Sequence, residues 1–181
     1  MLDFVELAKE KYNQGNDVDF NLSFNEFICQ CYIKLKPCSY GTRIEQKIVK
    51  ELGCEVNNPS LNLGDISFLE KNAEVKVSYL SQAKSYNLTH LRMWQKFQFY
   101  LFCFIDCDND FTPEFYLIDK YVLNKVKMGA MNGTKSSNSE NGNIELRSTV
   151  KKGGDAHKTL KRSNKLNGTT LLDLKSFICN V

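Results

Sequence analysis

The sequence predicts an α/β fold, a central mixed β-sheet flanked by helices on both faces. Three observations lead there. Apolar residues recur at helical spacing in the first third of the chain, two apolar alternations follow between Asn62 and Leu80, and two apolar strands are expected at 97–105 and 111–118, the first holding the apolar run 100–105. Helical and strand periods interleaved along one chain imply layered packing. At 181 residues and 42% hydrophobic, the chain can bury one real core and hardly two, so 1–181 is expected to form a single domain.

Taken in order, helices are expected at 2–12 and 23–35. A third covers 39–53, opened after Pro37 and closed by Gly53, with Ile44, Ile48, Val49 and Leu52 as its apolar face. Glu45 borders that stripe, and its plain role would be pairing with Arg43 or Lys47. Residues 62–80 read as a β-hairpin, Ile66/Phe68 on one strand and Val75/Val77/Tyr79 on the other, with Glu70, Lys71 and Asn72 as the turn. Residues 87–100 read as a short helical segment leading into a strand at 97–105. A second strand, 111–118, is joined to it by the polar turn Asp106-Cys107-Asp108-Asn109-Asp110. That turn imitates the start of a calcium loop, but Phe111 stands where the loop needs glycine and Leu117 where it needs glutamate. A helix at 120–128, a polar loop at 129–143, a strand at 144–150 and a last helix at 171–178, packed back on the core, complete the layout.

The hairpin carries the chemistry. Strand side chains alternate between faces, so Glu74 and Lys76 share one side while Val75 and Val77 enter the core. Antiparallel pairing brings Asp65, at the start of the first strand, close to them. Two carboxylates are hard oxygen ligands suited to Mg2+ held with waters and a substrate phosphate oxygen. Such a cation polarises phosphorus and steadies the leaving oxygen, while Lys76 orients the attacking water.

An acid entering one strand and Glu-x-Lys on its hairpin partner resembles the PD-(D/E)XK nuclease core. Gly64-Asp65 stands in the Pro-Asp place, with Gly for Pro, and Glu74-Val75-Lys76 in the (D/E)XK place. The resemblance covers about residues 40–128 and is nearest to type II restriction endonucleases. It implies a restriction-endonuclease-like core in which Asp65, Glu74 and the Val75 carbonyl bind Mg2+ and Lys76 positions the water. It also implies that Glu45 reaches the metal site from its helix and that Gln95, with Arg92 as a weaker candidate, reaches toward the scissile phosphate. A solvated surface segment is the bland account of both residues.

From Gly129 to Lys165 there are eight Lys and Arg against three Asp and Glu. This excess of +5 in a chain of net +3 leaves −2 for the rest. A basic segment rich in Asn, Ser, Thr and Gly suits DNA contact, so residues 129–170 are expected to form the DNA-contacting part. Lys151, Lys152, Lys161 and Arg162 are expected on phosphates, and Asn138, Asn141 and Arg147 on base edges. A solvated loop is the alternative.

Seven cysteines, an odd set with no CxxC pair, and two distant histidines point to reduced, partly buried thiols and not to a zinc site. Met1-Leu2-Asp3-Phe4 lacks the basic and apolar regions of a signal peptide, and no apolar run approaches the roughly 20 residues of a membrane span, so a cytoplasmic protein is expected. The resulting expectation is a Mg2+-dependent, sequence-specific endodeoxyribonuclease acting on double-stranded DNA as a homodimer. A repair, mobile-element or junction-resolving nuclease and a non-catalytic DNA-binding module are the alternatives.

Overall fold

The computed structural model describes residues 8–12, 17–92, 95–120, 156–161 and 171–179. Residues 8–12 are helical. Helix α1 (Phe24–Lys34) and helix α2 (Pro37–Leu52) follow. Pro37 opens α2, where a missing N–H costs no intrahelical bond. Gly53 closes it at φ 68, its N–H bonded to the Val49 carbonyl.

Then come β1 (Glu55–Val56), a 3-10 turn (Pro59–Leu61), β2 (Ile66–Phe68) and β3 (Lys71–Tyr79). After them run β4 (Ser85–Leu91), β5 (Phe99–Asp106), β6 (Thr112–Asp119), β7 (Ala156–Lys161) and helix α3 (Leu171–Cys179). Five strands form a mixed sheet in the order β1-β2-β3-β5-β6, in which only β3 and β5 run parallel. β4 and β7 pair antiparallel as a separate ribbon. The hairpin turns at Leu69-Glu70, both at positive φ, so Lys71 and Asn72, read from sequence as turn, belong to β3.

The sheet buries both faces. Every residue of β5 from Tyr100 to Asp106 is buried, as expected for a continuous apolar run at a sheet centre. Leu101, Cys103 and Ile105 join Val75 and Phe27, Ile28, Ile44, Ile48, Leu52 and Leu174 in one core. Tyr100, Phe102 and Phe104 pack with Tyr86, Leu88, Leu91 and Phe97 in a second. The described helices therefore gather on one face, and β4 covers the other.

The helix expected at 87–100 is replaced over its first residues by β4, which ends at Leu91. Tyr86 and Leu88, both buried, alternate with Ser85 and Asn87, and this period of two places the segment in a ribbon. Its partner β7 lies within the basic stretch, so Lys161 is part of a paired strand. Residues 2–7, 121–128 and 129–150 lie outside the described residues. The last helix packs back through Leu174 as expected.

Candidate functional site

β2 covers β3 only as far as Ala73. Among the described residues no strand pairs with β3 in a ladder on that side from Glu74 to Tyr79, although β4 approaches its far end, where Asn87 N donates to Ser78 Oγ (2.8 Å). The chain enters β2 through Gly64, at φ 81, where an added β-carbon would stand 2.6 Å from the Ala73 carbonyl oxygen. Only glycine fits there. Proline, with φ held near −65°, cannot occupy this backbone, which explains the departure from Pro-Asp.

Asp65 is fixed from both ends. Its N–H donates to Ala73 O (2.9 Å), its carbonyl accepts from Asn57 N (3.0 Å), and its Oδ2 accepts from Val75 N (2.8 Å). N–H and C=O of one strand residue point the same way, so the Val75 carbonyl also faces the open edge. Asn57 holds this corner through Nδ2, which donates to Leu63 O and to Asn72 Oδ1, and its Oδ1 accepts from Ser67 Oγ. Sequence reading missed Asn57, because its partners are set by the fold.

Glu74 and Lys76 lie on one face, in register with Tyr100 and Phe102. Lys76 Nζ donates to Glu74 Oε1 at 2.5 Å, with side chains only 17% and 5% exposed, so this is no surface ion pair. Burial raises the Glu74 pKa, opposed by Lys76 and reinforced by Asp65. Glu45, from α2, lines one cavity of about 480 Å³ with Asp65, Glu74, Arg92 and Gln95. Burial pushes its pKa up to about 7, Asp65 adding to the rise. The alternative partners for Glu45 are engaged elsewhere. Lys47 bonds Glu51 and the carbonyls of Phe20 and Leu22, and Arg43 bonds Gln46.

Gln95 Oε1 is buried without a hydrogen-bond partner among the described residues. Such an acceptor costs about 1–3 kcal/mol and invites a donor from outside. The segment that carries Gln95 is stapled down: Lys120 Nζ donates to Gln95 O (2.7 Å), Lys96 N to Asn62 O (2.7 Å) and Asn72 N to Gln98 Oε1 (2.8 Å). Arg92, for which solvation was the bland account, is half-buried in the same cavity, and its charge bears on Glu74. Asp65, Glu74, Lys76, Glu45 and Gln95 are thus brought together. Lys161 is described only as part of β7, and Asn138, Asn141, Arg147, Lys151, Lys152 and Arg162 lie outside the described residues.

Among the described residues no group of three or more His, Cys, Asp or Glu is arranged to hold a metal ion. Mg2+ asks for less, since one or two carboxylates with waters and substrate phosphate suffice. Asp65 Oδ1 and Glu74 Oε2, the oxygens not used in the bonds above, fit that requirement. The five described free thiols are Cys29, Cys31, Cys54, Cys103 and Cys107. Burial holds those of Cys29, Cys31, Cys103 and Cys107 above the usual thiol range, which disfavours the thiolate at each. No helix among the described residues is long and apolar enough to cross a membrane. No protein-family model matches the chain, and no curated protein matches it significantly.

Proposed function

We propose that this chain is a Mg2+-dependent, sequence-specific endodeoxyribonuclease with a restriction-endonuclease-like PD-(D/E)XK core, cutting double-stranded DNA as a homodimer. The observation that carries the reading is the corner itself. Asp65 is bonded to the Val75 N–H, and the buried Glu74–Lys76 pair lies beside it at the uncovered edge of β3. Asp65 and Glu74 would hold the cation, with the Val75 carbonyl on the same edge, and the bound cation would supply Lewis-acid polarisation of the phosphate.

The protein's own groups do the rest. Lys76 orients a water in line with phosphorus and balances the charge that grows on the phosphate oxygens. Glu45, poised near neutrality, takes the water's proton as the new O–P bond forms and the P–O3′ bond breaks, and the departing 3′ oxygen takes a proton from solvent, leaving a 3′ hydroxyl and a 5′ phosphate. Gln95 Oε1 accepts a hydrogen bond from the attacking water, and Arg92 supplies positive charge for a phosphate. The basic segment carrying Lys151, Lys152, Lys161 and Arg162 grips phosphates, with Asn138, Asn141 and Arg147 toward base edges. The burial of Glu74 and Lys76 weighs against a module in which they form a surface ion pair.

The test is incubation of purified protein with unmethylated bacteriophage and plasmid DNA, with Mg2+ or chelator. Discrete Mg2+-dependent fragments are expected, lost in Asp65→Ala and Lys76→Ala. Intact DNA in every lane, with DNA binding unaffected by either substitution, would overturn the reading. Preference for branched or mismatched DNA would move it to a repair or junction-resolving role.

A further inference from the structure

We infer that a second cavity, beside the first, is a subsite for one unpaired nucleotide of the DNA. This inference rests on the nuclease reading for the identity of its ligand. The cavity, about 840 Å³, shares Thr42 and Glu45 with the first and is lined also by Tyr32, Gly41, Lys76 and Val77. Its size lies within the roughly 300–1,000 Å³ of small-ligand pockets. A strand whose phosphate lies at Lys76 therefore has a neighbouring hollow for its next base.

Three features suit that hollow to a nucleobase. Tyr32 is 44% exposed, yet its ring rests 5.0 Å from Tyr79 and 5.2 Å from Phe111, which makes it a fixed aromatic platform. Bases stack on such platforms with little regard to sequence. Gly41 sits inside α2, where glycine is a poor helix former, and a β-carbon there would meet nothing within 4 Å. Neither backbone conformation nor packing requires glycine at that point, whereas close approach of a ligand to the helix does. The floor is β3 at Val77 and Ser78, beyond the reach of β2, with Asn87, whose N–H donates to Ser78 Oγ, at its rim. Backbone groups of Val77 face the unpaired edge of β3, as those of Val75 do, and offer a donor and an acceptor to the edge of a base.

The test uses the full chain with chelator present, so that no strand is cut, and two 2-aminopurine probes: a single-stranded oligodeoxynucleotide and a duplex carrying the fluorophore in a fully paired position. A saturable fluorescence change is expected with the single strand, retained in Gly41→Ala and Tyr32→Phe and at least tenfold weaker in Gly41→Leu and Tyr32→Ala. Thermal unfolding of Gly41→Leu at or above the wild-type temperature shows that the loss is occlusion and not unfolding. A change with the duplex as well means the protein extrudes the base; a change with the single strand alone means it takes a base already unpaired. No response to either probe, or equal responses in all variants, would overturn the subsite. Loss of Mg2+-dependent cleavage with variant-sensitive binding intact would instead overturn the nuclease reading and leave the subsite standing.

Discussion

A β-carbon at Gly64 would stand 2.6 Å from the Ala73 carbonyl oxygen and 3.0 Å from Glu74 N, on a backbone at φ 81. Gly64→Ala is therefore expected to cost about 2–4 kcal/mol in urea denaturation and to displace Asp65. Gly53→Ala, also at positive φ but facing open space, is expected to cost only about 1 kcal/mol. Glu45 gives a residue-scale prediction with a definite sign. Its pKa is raised in the folded state from 4.5 to about 7, so between those values the folded protein holds a proton that the unfolded chain has released. Stability should thus be fully present below about pH 4.5 and fall as pH rises toward 7. Denaturation across that range should show a shallower fall in Glu45→Gln; an unchanged slope would mean that Glu45 is not the group responsible. Gly64 and Asp65 were legible as a pair, but the reason for glycine was not, because it depends on Ala73 across the hairpin.

At the level of elements, α2 is tied to the chain before α1 by one buried lysine. Lys47 Nζ donates to Phe20 O and Leu22 O, each at 2.9 Å, and to Glu51 Oε1 at 2.7 Å. Lys47→Met keeps the aliphatic stem but strands two carbonyls, and a loss of about 2–3 kcal/mol is expected in denaturant unfolding. A loss under about 0.5 kcal/mol would show that water replaces the ammonium at no cost. The hairpin and α2 were readable because their signals are local: two-residue alternation, Pro37 at one end, Gly53 at the other. β4 was misread because Leu88 and Leu91 stand three apart, the helical spacing, and an irregularity in the pairing between them brings Leu91 into the core. Its partner β7 lies about seventy residues downstream, where no local pattern announces it. Gln95 was found by resemblance, but its unpartnered oxygen depends on staples from Lys120 and Asn72, residues that sequence spacing does not connect.

For the whole molecule, the distribution of charge predicts how binding responds to salt. The excess of five positive charges between Gly129 and Lys165 is offset elsewhere, so the chain is only modestly basic. If Lys151 and Lys152 each neutralise one phosphate, their joint replacement by Gln should flatten the slope of log affinity against log salt by about 1.8, at roughly 0.9 per contact. Anisotropy titrations over a salt series measure that slope, and an unchanged value would remove both lysines from the phosphate contacts. The core of the sheet was legible at this scale because the apolar run at β5 leaves no other place for itself. The placement of the described helices on one face was not, since both faces of β5 are equally apolar.

The uncovered stretch of β3 also bears on how the protein stays apart from its copies in a crowded solution. A bare strand edge is a template for another chain, and proteins commonly guard one with a charge. Lys76 and Glu74 stand on the unpaired part of β3, and an incoming strand would have to bury completely a charge pair of which Lys76 still touches water. The same two residues would then serve solubility as well as chemistry. Lys76→Val, chosen for its high strand propensity, is expected to increase turbidity on concentration or warming, where Lys76→Arg does not.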